Sequence, residues 1–282
     1  MADKPTTAAG YKPEQVELVR AACLYVATIL GDLIDDLVVI GGLVPSLLID
    51  QTALDADGRH VGTIDLDVGL TLGMLDEGRY KALTERLRRA RFAPDTNDDG
   101  NVTRQRWKVQ GTVGSVTVDF LIPPSLEADR AGRLRNIEKD FAAIIAPGLR
   151  LAFRDRRKIT LDGHTVFGER AKREVWSCGP GAFVSLKAHA LRLRGENKDA
   201  YDLYYMVRNF GSGVEDVAAS VRQLLDDPEA TEALRFLSED FATHDSIGPQ
   251  RAAVFITGGS DDNIQADVLG FVQRLIAACK SG

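Results

Sequence analysis

The chain has 282 residues, 44% of them hydrophobic, enough to bury one large core or two ordinary ones. Apolar stretches such as Leu37 to Ile40 and Phe271 to Cys279 are interrupted well short of the roughly 20 residues a membrane span needs, so no membrane partner is expected. A formal charge of -6 argues against a surface that coats nucleic acid throughout.

Met1 to Gly10 is small and polar and lacks the basic and apolar regions of a secretory signal, which predicts a cytoplasmic protein with a mobile leader. Pro13 to Leu30 then reads as a helix, with Val16, Val19, Ala22, Cys23, Val26 and Leu30 near helical spacing. Leu37 to Ile40 is a short strand ending on Gly41-Gly42, and Pro45 suits the first turn of a helix running to Ile49. A polar loop follows to Gly62. Thr63 to Leu70 alternates as a strand, with Ile64, Leu66 and Val68 on one face and Thr63, Asp65 and Asp67 on the other.

A basic amphipathic helix is expected over about Asp76 to Phe92, then paired strands at Val102 to Val109 and Val113 to Ile122 around Gly111. The pattern predicts a helix over about Ser125 to Ile145. Strands are expected at Leu149 to Phe153, Lys158 to Leu161 and His164 to Phe167, the last two joined at Asp162-Gly163. Beyond Gly179 the period is helical almost to the end. The fold class is therefore α/β (α+β), a mixed sheet with flanking helices over residues 1–178, followed by a helical domain over 179–282.

The chemistry starts at Asp65 and Asp67. Alternation puts both carboxylates on one strand face, roughly 7 Å apart along the chain, where they can share hard cations such as Mg²⁺. An isolated pair of this kind is more often a solvated strand face. Asp119 adds a third carboxylate, in a strand whose other face carries Val118, Phe120 and Ile122. Its plain alternative is a sheet-face Asp paired with Arg or Lys. Gly41-Gly42 adds a turn that lets a phosphate approach the backbone closely.

Other site types are absent from the sequence. There is no GxxxxGK[ST] loop, the histidines His60, His164, His189 and His244 lack metal spacing, and Cys23, Cys178 and Cys279 form no CxxC pair. Asp95 to Gly100 looks like a calcium loop until Arg106, which stands where the bidentate Glu should be.

A glycine turn, a DxD strand and a later acidic strand residue resemble the DNA polymerase β-like nucleotidyltransferase superfamily. Within it the chain is most similar to the AbiEii and MenT-like nucleotidyltransferase toxins. The likeness is carried by Val39-Ile-Gly-Gly-Leu-Val-Pro-Ser46, Gly62-Thr-Ile-Asp-Leu-Asp-Val68, Val116-Thr-Val-Asp-Phe-Leu121, Leu186-Lys-Ala-His-Ala190 and Asn197-Lys-Asp-Ala-Tyr-Asp-Leu203.

The resemblance implies that Gly41 and Gly42 face the phosphates, that Asp65, Asp67 and Asp119 bind Mg²⁺, and that Lys187 and Asp202 are further functional residues. The hydroxyl common just after the glycine turn is replaced by Leu43, and Ser46, several residues on, is counted with the nucleotide-binding residues. The long spacing from Gly42 to Asp65 looks like a loop insertion. A continuous helix would hold Lys187 and Asp202 more than about 20 Å apart in height, so a shared site requires a bend near Gly195, with Asn197 as a cap.

The implied activity is transfer of NMP from an NTP to an RNA acceptor, the tRNA 3′ end, by a toxin with a cognate antitoxin. Basic groups at Arg86 to Arg91, Arg104 to Lys108 and Arg154 to Lys158 fit an RNA track, although basic helix faces are usually just solvated. A small-molecule or protein acceptor, or a non-catalytic nucleotide- or RNA-binding regulator, would use the same carboxylates or only their surroundings.

Overall fold

The computed structural model describes residues 4–55, 58–71, 77–97 and 99–281. Helix α1 (Pro13–Leu30) opens on Pro13 and turns Val19, Ala22, Cys23, Val26 and Leu30 onto the sheet, as their spacing predicts. Strand β1 (Leu37–Ile40) is wholly buried. It runs into a 3₁₀ turn at Gly41–Leu43 and helix α2 (Val44–Leu48). Strand β2 (Asp65–Leu70) lies antiparallel to β1, with Ile40 opposite Asp67.

Helix α3 (Glu77–Arg89) and strand β3 (Ala93–Thr96) follow, the expected start of the helix at Asp76 lying outside the described residues. Strands β4 (Val102–Gln110) and β5 (Ser115–Ile122) form the expected antiparallel pair, and β5 also runs parallel to β2.

The segment read as one helix over Ser125 to Ile145 instead holds strands β6 (Leu134–Glu138) and β7 (Phe141–Ile145). Phe141 to Ile145 is a short, nearly fully buried apolar run, and periodicity cannot separate such a run from a helix. The end of β5 decides: beyond Asp119, the last residue it pairs with β4, Leu121 and Ile122 take β7 in parallel. Gly132, at φ +72°, breaks any helix ahead of β6 and donates its N–H to the Ile145 carbonyl.

Two further expectations change. Leu149 to Phe153 is not a strand but part of helix α4 (Leu149–Arg154), which buries Leu149, Leu151 and Ala152. Strand β8 (Arg156–His164) runs straight through Asp162-Gly163, where Gly163 pairs with Ala171 in the ladder to β9 (Arg170–Cys178). The chain turns later, at Thr165 to Glu169, where Gly168 takes φ +81°.

The sheet order is β3-β4-β5-β2-β1-β9-β8, with β7 attached to β5 and β6 to β7. Parallel and antiparallel strands mix in an open sheet flanked by helices, the expected α/β class. After Gly179 come α5 (Pro180–Arg194), α6 (Asn197–Asn209), α7 (Val214–Arg222), α8 (Pro228–Asp240), α9 (Ile247–Thr257) and α10 (Asp262–Lys280). Among the described residues no helix is long and apolar enough to cross a membrane.

Candidate metal centre and its cleft

Strand β1 delivers the chain to Gly41 at φ +72°, a conformation that a side chain resists. A β-carbon there would lie 2.0 Å from Asp67 Oδ2, and one at Gly42 would lie 2.8 Å from Thr63 Cβ and 3.1 Å from Lys198 Nζ. The two glycines therefore do more than open a path to the backbone. They let β2 and its carboxylates pack directly on the turn.

Alternation along β2 aims Asp65 and Asp67 to one face, and the parallel register sets Asp67 beside Asp119. One oxygen from each of the three carboxylates lies within 4.8 Å of the others. They stand at the floor of a cleft of about 1230 Å³ between the sheet and α5. Asp65 and Asp119 are buried and Asp67 is half-buried.

Burial, and then the negative charge of Asp65, pushes the Asp67 carboxyl up to about 7. Burial also works against the Asp65 carboxylate, but the ammonium of Lys4 and then Arg106 outweigh it and hold that pKa below the ordinary value. Thr63 Oγ1 donates to Asp65 Oδ1 at 3.0 Å. Oxygen-only donors with this surplus of negative charge fit a hard divalent cation. The cluster could hold a metal ion.

Two cations already face it. Arg106 Nε donates to Asp119 Oδ1 at 2.7 Å, and its Nη2 reaches Asp119 Oδ2 and Asp65 Oδ2. Lys4 Nζ stands 2.7 Å from Asp65 Oδ2. Asp119 is thus at once a member of the cluster and the sheet-face Asp paired with an Arg. Residues 4–10, expected as a mobile leader, instead carry a side chain into the cleft.

Lys187 and Asp202 do meet. Helix α5 ends at Arg194, Gly195 takes the left-handed conformation at φ +64°, and α6 folds back, so the required bend is present. The cap of α6 is Glu196 without a side-chain bond; Asn197 is the first helical residue, a correction to its expected capping role. Lys187 Nζ lies 2.9 Å from Asp199 Oδ1 and 2.6 Å from Asp202 Oδ2.

Asp202 also accepts from Lys198 Nζ at 2.7 Å and faces His60 Nε2 at 2.9 Å, while Arg194 makes two 2.8 Å bonds to Asp199. Burial opposes the charge on Lys187, but Asp199 and Asp202 outweigh it and raise its pKa above the ordinary lysine value. The same burial opposes Asp199, yet Lys187 and Arg194 hold it at about 2.

His60 belongs to the long loop between α2 and β2. Its Nδ1 accepts from the Gly62 N–H at 3.0 Å, so the ring proton sits on Nε2 and is donated to Asp202. Complete burial lowers its pKa to about 4, in spite of Asp202. The loop is tied to α6 at further points, since Tyr201 Oη accepts from the Val61 N–H and Tyr205 Oη bonds Gln51 and Gly58.

Lys187 lines the cleft, whereas Asp202 is fully buried behind it. Ser46 is outside the cleft lining, and its hydroxyl donates at 2.8 Å to the Leu43 carbonyl within the first turn of α2. The α3 arginines are also outside it. Arg86 pairs with Asp32, Arg88 with Asp140 and Arg89 with Glu85, and in the group at Arg154 to Lys158 Arg154 pairs with Asp226. Among the described residues, the cations bordering the cleft are Lys4, Arg106, Lys108, Arg133, Lys187 and Arg194.

Among these, Lys4, Arg133 and Arg194 escaped sequence reasoning, as did His60 behind them. Arg106 was readable only with the β4–β5 register in hand, which sets it opposite Asp119. No local pattern marks Lys4. Comparison with models of known protein families finds no match, and comparison with curated proteins finds none either.

Proposed function

We propose that this protein is a metal-dependent nucleotidyltransferase that moves NMP from an NTP to an acceptor hydroxyl, with pyrophosphate leaving. One observation carries the reading: three carboxylates from neighbouring parallel strands bring oxygens within 4.8 Å of one another beside a glycine turn. Asp65, Asp67 and Asp119 would hold the ion, Mg²⁺ by the resemblance, which supplies positive charge against the phosphates and activates the attacking oxygen.

The protein's own groups have separable tasks. The turn at Gly41 keeps the backbone open to the triphosphate, and Arg194, Lys108 and Arg133 border the cleft as further positive charge for phosphate oxygens. Phe183, Leu186, Ala190 and Leu193 follow helical spacing along α5 and, with Ile145 and Pro147, make an apolar wall. That wall suits the flat, poorly hydrated face of a nucleobase and keeps water from the reacting phosphate. Asp199 and Asp202 hold Lys187 at the border of the same cleft.

By the same resemblance, the acceptor is RNA, the 3′ end of tRNA, and the protein is a toxin with a cognate antitoxin. The engagement of the α3 arginines by acidic neighbours favours a second reading, a small acceptor that needs no extended cationic track. Incubation with each α-labelled NTP, Mg²⁺ and total RNA separates them. Label in an RNase-sensitive, tRNA-sized band supports the RNA acceptor; label found only on a small molecule or a protein overturns it and leaves the transfer reaction standing.

A further inference from the structure

Ahead of α1 the chain is anchored at one end and engaged by charge at the other. Gly10 packs on Pro5 so closely that a β-carbon would lie 2.4 Å from Pro5 Cβ. The 3₁₀ turn Ala8–Gly10 rests against α9, and the Tyr11 ring lies 5.8 Å from that of Phe255. From this anchor Lys4 reaches Asp65, its Nζ 2.7 Å from Oδ2, while its side chain remains 37% exposed against 5% for Asp65.

The two cations at the carboxylates differ in freedom. Arg106 is fixed by the β4 ladder and by a two-pronged bond to Asp119. Lys4 lies outside any helix or strand, next to the Pro5 that packs on the anchored turn, and reaches Asp65 through a flexible, partly exposed side chain. A metal ion on Asp65 Oδ2 would stand about 2.1 Å from that oxygen. With Lys4 seated, the two cations would be within about 5 Å of each other and repel.

We propose that Lys4 is a tethered competitor for the metal centre: its ammonium and a divalent cation take Asp65 in turn, and the ammonium must leave before metal is held. The inference rests on the reading of Asp65, Asp67 and Asp119 as a metal centre. An ammonium seated nine-tenths of the time lowers the apparent metal affinity about ten-fold, because only the open fraction binds. Metal entry is thereby coupled to release of the Lys4 side chain from Asp65.

The test is Mn²⁺ binding to the full chain, titrated by the loss of the free-ion electron spin resonance signal. Three proteins are compared: wild type, Lys4→Met, and Lys280→Met, which removes an exposed positive charge on α10. Lys4→Met is expected to bind Mn²⁺ about five- to ten-fold more tightly than wild type, with Lys280→Met unchanged. Equal or weaker binding by Lys4→Met overturns the proposal, as does an equal gain in Lys280→Met, which would reduce the effect to net charge. If none of the three binds Mn²⁺, the metal centre itself is wrong; if all bind it equally, only the tether is.

Discussion

Gly41 and Asp67 make a contact that only glycine permits: a β-carbon on Gly41 would fall 2.0 Å from the Asp67 carboxylate, at a backbone φ of +72°. Gly41→Ala is therefore expected to strain the turn by about 1–2 kcal/mol and to push the carboxylate out of the cluster. A displacement of roughly 1 Å at a reacting centre costs on the order of 100-fold, so transfer should fall at least that far while the protein still folds. Thermal melts alongside a transfer assay check this. Full activity in Gly41→Ala would show that the Asp67 position is not critical.

Lys187 borders the cleft, but Asp199 and Asp202 already engage its ammonium. Lys187→Met leaves two buried carboxylates facing one another without it. Breaking a buried pair by removing one partner costs about 3–5 kcal/mol, which for a chain of this size is a fall in Tm of roughly 10 °C. The loss should therefore fall on stability as well as on transfer. A Tm within 2 °C of wild type, by an estimate of about 2–4 °C per kcal/mol, would separate Lys187 from the fold and leave it a purely functional cation.

The pH dependence of stability has its own signature. His60 is neutral in the folded protein with a pKa of about 4, against 6.5 for the free side chain. Between these values the unfolded chain binds the extra proton, so the His60 contribution to stability falls as pH drops from 6.5 towards 4, by ~3 kcal/mol in all. Asp199 and Asp202, whose pKa values are lowered, add their losses only below about 3.8. Asp67, raised to about 7, works the other way over the same range, so the His60 share is read as a difference: in urea unfolding from pH 7 to 4, wild type should lose about 3 kcal/mol relative to His60→Gln, which can still donate to Asp202. An unchanged slope in His60→Gln would assign that window to another group.

Much of the site was legible because it depends on local periods. Two-residue alternation placed Asp65 and Asp67 on one face, and the opposite face of β5 exposed Asp119 as a third carboxylate. The height of a continuous helix between Lys187 and Asp202 demanded a bend, and Gly195 supplies it. What escaped depends on partners distant in sequence. The run Phe141 to Ile145 has no period of its own that separates strand from helix, and only its pairing with Leu121 and Ile122 at the end of β5 decides it. Arg106 needed a register, Lys4 needed the path of residues 4–10, and His60 needed the return of α6 over its loop. The α3 arginines looked like a nucleic-acid track because sequence shows the cations before it shows their acidic partners.

The central claim is that Asp65, Asp67 and Asp119 serve nucleotidyl transfer, in which a bond forms from the acceptor oxygen to the α-phosphorus and the bond to the β-phosphate oxygen breaks. The most direct measurement follows NTP labelled at either the α- or the γ-phosphate, with Mg²⁺ and total RNA or a small-molecule pool, using wild type and Asp67→Asn. The account predicts that α-label moves to an acceptor, that γ-label leaves in pyrophosphate, and that both events vanish in Asp67→Asn and in EDTA. Movement of γ-label to the acceptor, or undiminished α-label transfer by Asp67→Asn, would contradict it.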